Sequence, residues 1–218
     1  MSDQPVPRHA ARPNGRETRN LLLLTAERLF AQRGIAAVSV REILDEAGQR
    51  NKNAAQYYFG GRDGLITSLA NSRTDALNRR RMVLLDELEA AGRQADLRAL
   101  CEVLVRPLAE TLDEPGNHFI GFLARYHLDR SLPHLSESVD PALITGYRRT
   151  TRLLRAASGL PREAFAIRFS LVMDMCFTGL AGRQAQEEAG AARLPARVTF
   201  VENLVDAAHG AFAHRAGG

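Results

Sequence analysis

In this 218-residue chain, the segment after Gly48 is rich in side chains that can form hydrogen bonds with a binding partner. The polar residues of this segment, with the tyrosine that follows them, are Asn51, Lys52, Asn53, Gln56 and Tyr57. Amide side chains form paired hydrogen bonds with the edges of bases, and a lysine ammonium neutralises phosphate. The segment therefore predicts a surface that addresses base edges or phosphates of DNA.

Two short helices are expected to position these side chains. The apolar residues that recur at i, i+3, i+4 and i+7 after Ser39 are Val40, Ile43, Leu44 and Ala47. This stripe predicts a helix that is buried on one face. Gly48 supplies the permissive backbone of a tight turn, and a second short helix is expected to carry the polar side chains. The pair predicts a helix-turn-helix, whose second helix lies in the major groove.

A motif across both short helices resembles the TetR family of transcriptional regulators. The residues that carry the resemblance are Ser39, Ile43, Ala47, Gly48, Tyr58, Phe59, Gly60, Gly61, Arg62, Asp63 and Leu65. The helical period, the turn glycine and the aromatic, basic and acidic order all agree with the family pattern. The stretch from Gly48 to Tyr58 is one residue longer than the commonest family spacing. Base contacts within residues 50–53 are therefore assigned only to within one position.

The resemblance implies an all-α fold of about nine helices. An amino-terminal three-helix unit with the helix-turn-helix would precede a larger helical domain for effector binding and dimerisation. The protein would bind a roughly palindromic, double-stranded DNA operator as a homodimer. The DNA phosphates would be contacted by Ser39, Tyr58 and Arg62. The base edges would be read or approached by Asn51, Lys52, Asn53 and Gln56, with Tyr57 near them. Repression is the usual output of the family, and activation is the alternative.

Turn signals divide the chain into three parts. Residues 1–14 predict a disordered basic arm, residues 15–61 the DNA-binding domain, and residues 62–218 the larger domain. The basic residues that would let the arm touch DNA are Arg8, Arg12, Arg16 and Arg19, and a tail with incidental charge is the alternative. Helices of the larger domain are expected at about 62–91, 97–112, 118–129, 141–157, 162–189 and 196–214. Pro107 predicts a kink or an early end in the second of these.

The net charge of +4 is concentrated in the segment that is expected to meet DNA. Residues 1–62 hold ten basic and six acidic residues, whereas residues 63–218 hold 19 of each. Neutralisation of phosphates requires such a local excess, and an ordinary solvated surface is the alternative. The arginine run 79–81 in the larger domain is interpreted as a solvated face, with a phosphate contact as the alternative.

Composition favours a cytoplasmic protein without a membrane partner. Hydrophobic residues make up 45% and charged residues 25% of the chain, which are ordinary globular values. The first residues lack the apolar region of a signal peptide, and no uninterrupted apolar run is long enough to span a bilayer. Cys101 and Cys176 lie in apolar helical contexts, which predicts buried free thiols; a disulfide between them has no supporting motif.

The last two predicted helices are the expected homodimer interface, because the resemblance implies a four-helix bundle there. Their apolar and small residues are Phe165, Phe169, Val172, Met173, Cys176, Gly179, Leu180, Ala181, Gly182, Ala185, Phe200, Leu204, Ala207, Ala208, Ala211 and Phe212. Two recognition helices must reach major grooves about one DNA turn apart, which requires two protomers. An ordinary intrachain core is the alternative interpretation of these residues.

The resemblance also implies an unknown small-molecule effector in the larger domain. The expected pocket residues are Leu104, Leu108, Thr111, Phe119, Phe122, Leu123, Tyr126, Tyr147, Phe169 and Met173, for each of which simple core packing is the alternative. Asp174 interrupts an apolar run, which predicts contact with a ligand or with an arginine across the dimer. Arg148, Arg152 and Arg155 share a helical face and could attract an anionic effector; solvent exposure is the alternative.

A helical enzyme and a protein-binding adaptor are the alternative functions. His118, His127 and His134 are spaced by nine and seven residues, which fits neither an i, i+4 metal pair nor an HExxH helix. The sequence holds no glycine-rich phosphate loop, no nucleophile elbow and no cysteine pair with zinc spacing. We therefore expect no catalytic residue, cofactor or bound metal. Salt-sensitive DNA binding would separate a regulator from both alternatives.

Overall fold

The computed structural model describes residues 15–129, 131–133 and 135–214, and within these ranges all regular secondary structure is helical. The helices of six residues or more are α1 (Gly15–Arg33), α2 (Val40–Glu46), α3 (Ala54–Phe59), α4 (Arg62–Ala90), α5 (Leu97–Glu110), α6 (Phe119–Leu128), α7 (Thr145–Ser158), α8 (Arg162–Glu188) and α9 (Arg197–Ala213). Shorter turns occupy Thr111–Asp113, Leu135–Ser138 and Pro141–Ile144. The predicted all-α class is confirmed; the arm predicted for residues 1–14 lies outside the described residues.

Helices α1 to α3 form the amino-terminal unit because their apolar faces meet. Helix α1 buries Ala26 and Phe30, and α2 buries Ile43 and Leu44. Gly48 follows α2 with a φ of 63°, a left-handed conformation that side chains disfavour. The predicted helix-turn-helix architecture is therefore present, with its glycine at the turn.

Helix α4 leaves this unit and enters the larger domain, where α5 is the central element. Helix α5 packs against α4, α7 and α9, and it buries Leu100, Leu104 and Leu108 completely. Pro107 does not end the helix at once, since α5 continues to Glu110 before a 3₁₀ turn takes over. A proline removes only one internal hydrogen bond, and burial of the surrounding side chains holds the last turn together.

The two cysteines are free and buried, as the sequence predicted. Burial raises the pKa of both Cys101 and Cys176 to about 12. Because the thiolate is the reactive form of cysteine, both thiols are inert at neutral pH.

Helices α8 and α9 turn most of their large apolar side chains into the core of their own chain. The residues that were expected at a dimer interface and are buried within the chain are Phe165, Val172, Met173, Cys176, Leu180, Leu204, Ala208 and Phe212. For these side chains the intrachain alternative is correct. The opposite sides of the two helices expose Ile167, Leu171 and Val198.

Within the described ranges, α8 is also the one helix long and apolar enough to cross a bilayer, a property that core helices share.

Candidate nucleic-acid interface and ligand cavity

Helix α2 begins at a reciprocal cap between Ser39 and Glu42. The Ser39 hydroxyl accepts a hydrogen bond from the Glu42 amide at 3.2 Å, and the Glu42 carboxylate accepts one from the Ser39 amide at 2.8 Å. Hydrogen bonds from Ser39 and Arg33 lower the pKa of Glu42 to about 2, so the cap is intact at neutral pH. Ser39 is exposed, and the side chain expected to contact phosphate is thus also the cap of α2.

Three of the residues expected to read bases, Asn51, Lys52 and Asn53, lie in a turn rather than on a helix, because α3 begins only at Ala54. Asn51 Oδ1 accepts a hydrogen bond from the Asn53 amide at 3.0 Å, and Gln49 Oε1 accepts one from the Asn51 amide at 3.2 Å. Side-chain bonds to an amide two residues along the chain stabilise turns at the expense of helix. The expectation that residues 51–53 belong to the second helix is therefore wrong, although Asn51, Lys52 and Asn53 are all exposed.

Gln56 and Tyr57 extend the same exposed surface onto α3. The Tyr57 side chain is 80% exposed, and its ring meets that of Tyr58 edge to face, with centroids 4.9 Å apart. Tyr57 and Tyr58 line an open cleft with Arg16 and Arg19. These two arginines, which we expected in the basic arm, belong to the first turns of α1. The cleft combines aromatic rings with guanidinium groups, which suits it to a phosphate and its sugar.

The Arg62 guanidinium points into the amino-terminal unit. It donates hydrogen bonds to the backbone carbonyls of Ile35 and Val38, and it lies 5.7 Å from the centroid of the Phe30 ring. These contacts hold the loop between α1 and α2, which leads directly into Ser39. A phosphate contact of Arg62 would compete with these internal bonds, so the geometry favours a positioning role.

A buried ion pair joins the amino-terminal unit to the larger domain. Glu27 of α1 is 1% exposed and accepts hydrogen bonds from Arg73 of α4 at 2.7 and 3.1 Å. The same carboxylate accepts a hydrogen bond at 2.8 Å from the amide of His118, which directly precedes α6. Helix α6 also approaches α1 closely at Gly121, where a Cβ would lie 2.9 Å from that of Ala31. Displacement of α4 or α6 would therefore act directly on α1.

A cavity of about 450 Å³ lies between α4, α5, α6, α7 and α8. The expected pocket residues that line it are Leu108, Phe119, Leu123, Tyr126, Tyr147, Phe169 and Met173. Leu104 and Phe122 are instead fully buried in the core, and Thr111 lines a smaller cleft beside the cavity. The volume is within the range of about 300–1,000 Å³ that is typical of small-molecule sites.

Polar residues also line the cavity. Arg155, which the sequence offers as an attractor of an anionic effector, is one of them, and those that the sequence analysis does not assign to a pocket are Thr74, Arg81, His127, Thr151, Arg162 and Ser170. His127 Nε2 lies 2.6 Å from Asp174 Oδ1. Asp174 thus pairs with a histidine of its own chain, whereas the sequence predicted contact with a ligand or with an arginine across the dimer. Arg148, Arg152 and Arg155 are exposed and line an adjoining open cleft. Within the described ranges, no cluster of three or more His, Cys, Asp or Glu residues could hold a metal ion.

Comparison with known proteins places the helix-turn-helix in a family. Residues 22–69, which include the cap of α2, the exposed turn and α3, match the family described as "Bacterial regulatory proteins, tetR family". The crystal structure of Mycobacterium smegmatis AmtR has a similar fold, with a TM-score of 0.54 and 19% sequence identity over 97% of this chain and 92% of that chain. No curated protein matches the chain significantly by sequence.

Proposed function

Residues 22–69 are a DNA-binding domain of the TetR family, and from this premise we propose that the chain is a ligand-responsive transcriptional repressor. It acts as a homodimer on a palindromic operator. The observation that carries the proposal is the set of exposed side chains within the matched domain, which are Asn51, Lys52, Asn53, Gln56 and Tyr57. Its lysine provides affinity for phosphates, and its amides provide hydrogen bonds to base edges. A cytoplasmic location follows, because the operator is chromosomal DNA.

In the proposed complex, the exposed turn before α3 enters the major groove. The side chains that approach base edges are Asn51, Lys52, Asn53 and Gln56, with Tyr57 beside them. Ser39 and Tyr58 contact phosphates, and Arg16 and Arg19 neutralise the strand beside the cleft. Arg62 holds the loop that sets the position of α2. The second protomer presents the same surface about one DNA turn away.

Selection of genomic DNA fragments on the purified protein at near-physiological salt, followed by sequencing, tests the proposal. We expect enrichment of a few sites that share an inverted repeat. Weak and uniform binding across sequences would contradict specific recognition and favour the enzyme or adaptor. Because a co-purified effector could hold the protein off DNA, the selection is repeated with protein that has been denatured and refolded.

Lys52→Ala is expected to weaken operator binding by about 1–3 kcal/mol, because it removes an exposed cation from the groove-facing turn. Tyr58→Phe removes one hydroxyl and is expected to have a smaller effect. Fluorescence anisotropy of a labelled operator fragment at fixed salt measures both. Arg152→Ala is the matched control, since it removes one positive charge from an exposed position in the larger domain. Equal losses in Lys52→Ala and Arg152→Ala would contradict the docking arrangement.

The exposed sides of α8 and α9 form the proposed dimer interface. Leu171 is 61% exposed and lies one turn after Ile167, which is also exposed. Gly182 and Gly210 add small residues, and a Cβ at either position would meet nothing within 4 Å. Small residues let helices approach closely, and apolar side chains between them supply buried area. A second copy of the same two helices is therefore the partner that these faces fit.

Leu171→Glu is expected to convert the dimer into a monomer at micromolar concentration. A two-fold interface would bury two copies of the unpaired carboxylate, and each buried charge costs several kcal/mol. Sedimentation equilibrium measures the change in mass. Leu24→Glu is the matched control, because Leu24 is a 51% exposed leucine on α1, outside the proposed interface. A monomeric wild-type protein, or a dimeric Leu171→Glu variant, would contradict this assignment.

An effector in the cavity would act on DNA binding through α4 and α6. Both helices line the cavity, and both are tied to α1 by the hydrogen bonds of Glu27. A ligand that favours a different arrangement of these helices changes the spacing of the two DNA-binding units. The dimer then no longer fits two successive major grooves, and it releases the operator.

A further inference from the structure

Arg81 introduces a positive charge into the apolar wall of the cavity. The sequence predicts a solvated face for the arginine run 79–81, but the Arg81 side chain is only 4% exposed. Successive residues of a helix point about 100° apart, so the third arginine of the run turns inward. Arg79 and Arg80, by contrast, are exposed and form ion pairs with carboxylates.

Within the described part of the chain, Arg81 has neither a hydrogen bond nor an ion pair. Its Nε atom is buried without a partner, and its Cζ atom lies 5.7 Å from the centroid of the Tyr147 ring. Burial lowers the pKa of Arg81 to about 10, so the guanidinium remains charged at neutral pH. The face of an aromatic ring compensates a buried positive charge only partly. The N–H donors of the guanidinium therefore remain available for a ligand.

Close packing of α4 and α7 holds the stem of Arg81 in place. The Gly146 amide donates a hydrogen bond to Asn78 Oδ1 at 2.7 Å. A Cβ at Gly146 would lie only 3.2 Å from Arg81 Cβ, so a larger residue there would push against the arginine. The guanidinium is therefore held at the cavity wall by two helices that approach each other closely.

The lining of the cavity leaves this cation uncompensated. None of the described lining residues is acidic, whereas Arg155 and Arg162, which are exposed, add positive charge where α7 ends and α8 begins. The apolar residues that cover much of the wall are Leu77, Leu123, Ile144, Phe165, Met173 and Phe177. The site thus combines an apolar volume with one buried positive charge, and exposed arginines of the same sign attract anions toward it.

We propose that the cavity binds an amphipathic organic monocarboxylate, whose carboxylate pairs with Arg81 and whose apolar body fills the remaining volume. The two oxygens of a carboxylate match the fork of a guanidinium and bring one negative charge to one positive charge. A phosphate monoester would bring about −1.5 to −2 charges to the one buried cation, and only the exposed Arg155 and Arg162 would remain to offset the excess. A neutral ligand would leave the cation uncompensated. The identification of this ligand as the effector rests on the proposed function.

Binding to the 218-residue protein without DNA tests the ligand class directly. The probes are saturated carboxylic acids of six to fourteen carbons, below their micelle concentrations, and naphthalene-2-carboxylate, each compared with its uncharged primary amide at pH 7. Calorimetry and thermal shift measure the affinities for the wild type, for Arg81→Met and for the control Arg79→Met. Methionine keeps an unbranched stem without the charge, and Arg79 is exposed on the same helix.

We expect at least one carboxylate to bind the wild type and Arg79→Met roughly ten- to a hundredfold more tightly than its amide. In Arg81→Met this preference disappears, while the unliganded variant is as stable as the wild type or more stable, because an unpaired buried charge is gone. Lack of binding by every carboxylate, equal binding of acids and amides by the wild type, or an unchanged preference in Arg81→Met would overturn the proposal. The wild-type comparison of acid with amide decides the question even if Arg81→Met does not fold.

A second measurement separates this inference from the proposed function. The best carboxylate is added to the complex of the dimer with an operator fragment, and release of DNA is followed by anisotropy. Binding of the carboxylate to a protein that recognises no operator would contradict the regulator and support the ligand site. Specific DNA binding by a protein that ignores every carboxylate would support the regulator and contradict only the ligand class.

Discussion

Arg62→Met is expected to lower the stability of the amino-terminal unit by about 3 kcal/mol and to weaken operator binding on the order of tenfold or more. The substitution removes two hydrogen bonds from a charged group to the carbonyls of Ile35 and Val38, and a contact with the Phe30 ring. The loop that leads to Ser39 then loosens, and α2 no longer holds the turn before α3 in a fixed position. Urea unfolding without DNA and anisotropy on an operator fragment measure the two effects.

The same variant separates the positioning role of Arg62 from a direct phosphate contact. If Arg62 gripped a phosphate, stability without DNA would be unchanged, and the slope of log K against log salt would fall in magnitude by about 1. Arg41→Met is the control for loss of charge, because the Arg41 side chain is 81% exposed on α2. We expect it to change stability by less than about 0.5 kcal/mol. Wild-type stability in Arg62→Met would contradict the positioning role.

Glu27→Ala is expected to lower the free energy of unfolding by about 3 kcal/mol, because it removes a buried carboxylate that accepts two hydrogen bonds from Arg73. Arg73 then keeps only a longer contact, of 3.6 Å, with the exposed Glu114. It also leaves the amide of His118 without its acceptor before α6. Urea unfolding measures the loss, with the protein concentration held fixed because dimerisation contributes to the apparent stability. Operator binding should become less responsive to the effector, since α1 is no longer fixed to α4 and α6.

Glu46→Ala is the matched control for Glu27→Ala. Glu46 pairs with Arg28 at 2.7 Å, but both side chains are at least one-third exposed. Solvent screens such pairs, and we expect the control to cost less than about 1 kcal/mol. Equal losses in the two variants would show that burial of Glu27 adds nothing to the strength of its contacts.

Local patterns in the sequence determined the helices and the type of domain. The apolar stripe after Ser39, the capping partner Glu42 and the turn at Gly48 act over a few residues, so their consequences can be predicted without the fold. The ends of most helices were therefore placed to within a few residues. The exception in the helix-turn-helix is the turn at residues 51–53, where the side chains of Gln49 and Asn51 accept hydrogen bonds from the local backbone and delay the start of α3.

Tertiary structure alone decided which way the long side chains point. Arg62 and Arg81 have the same chemistry in the sequence as exposed arginines, yet the first holds a loop and the second lies at a cavity wall. The direction of each depends on carbonyls or helices that are distant in sequence, such as α7 beside Arg81. Likewise, α8 is apolar on more than one side, and only packing against α6 and α9 separates buried Phe165 from exposed Leu171. Periodicity and capping are local, and they are enough to predict a helical protein with a DNA-binding unit. The cavity and its charge depend on contacts between helices that are distant in the chain.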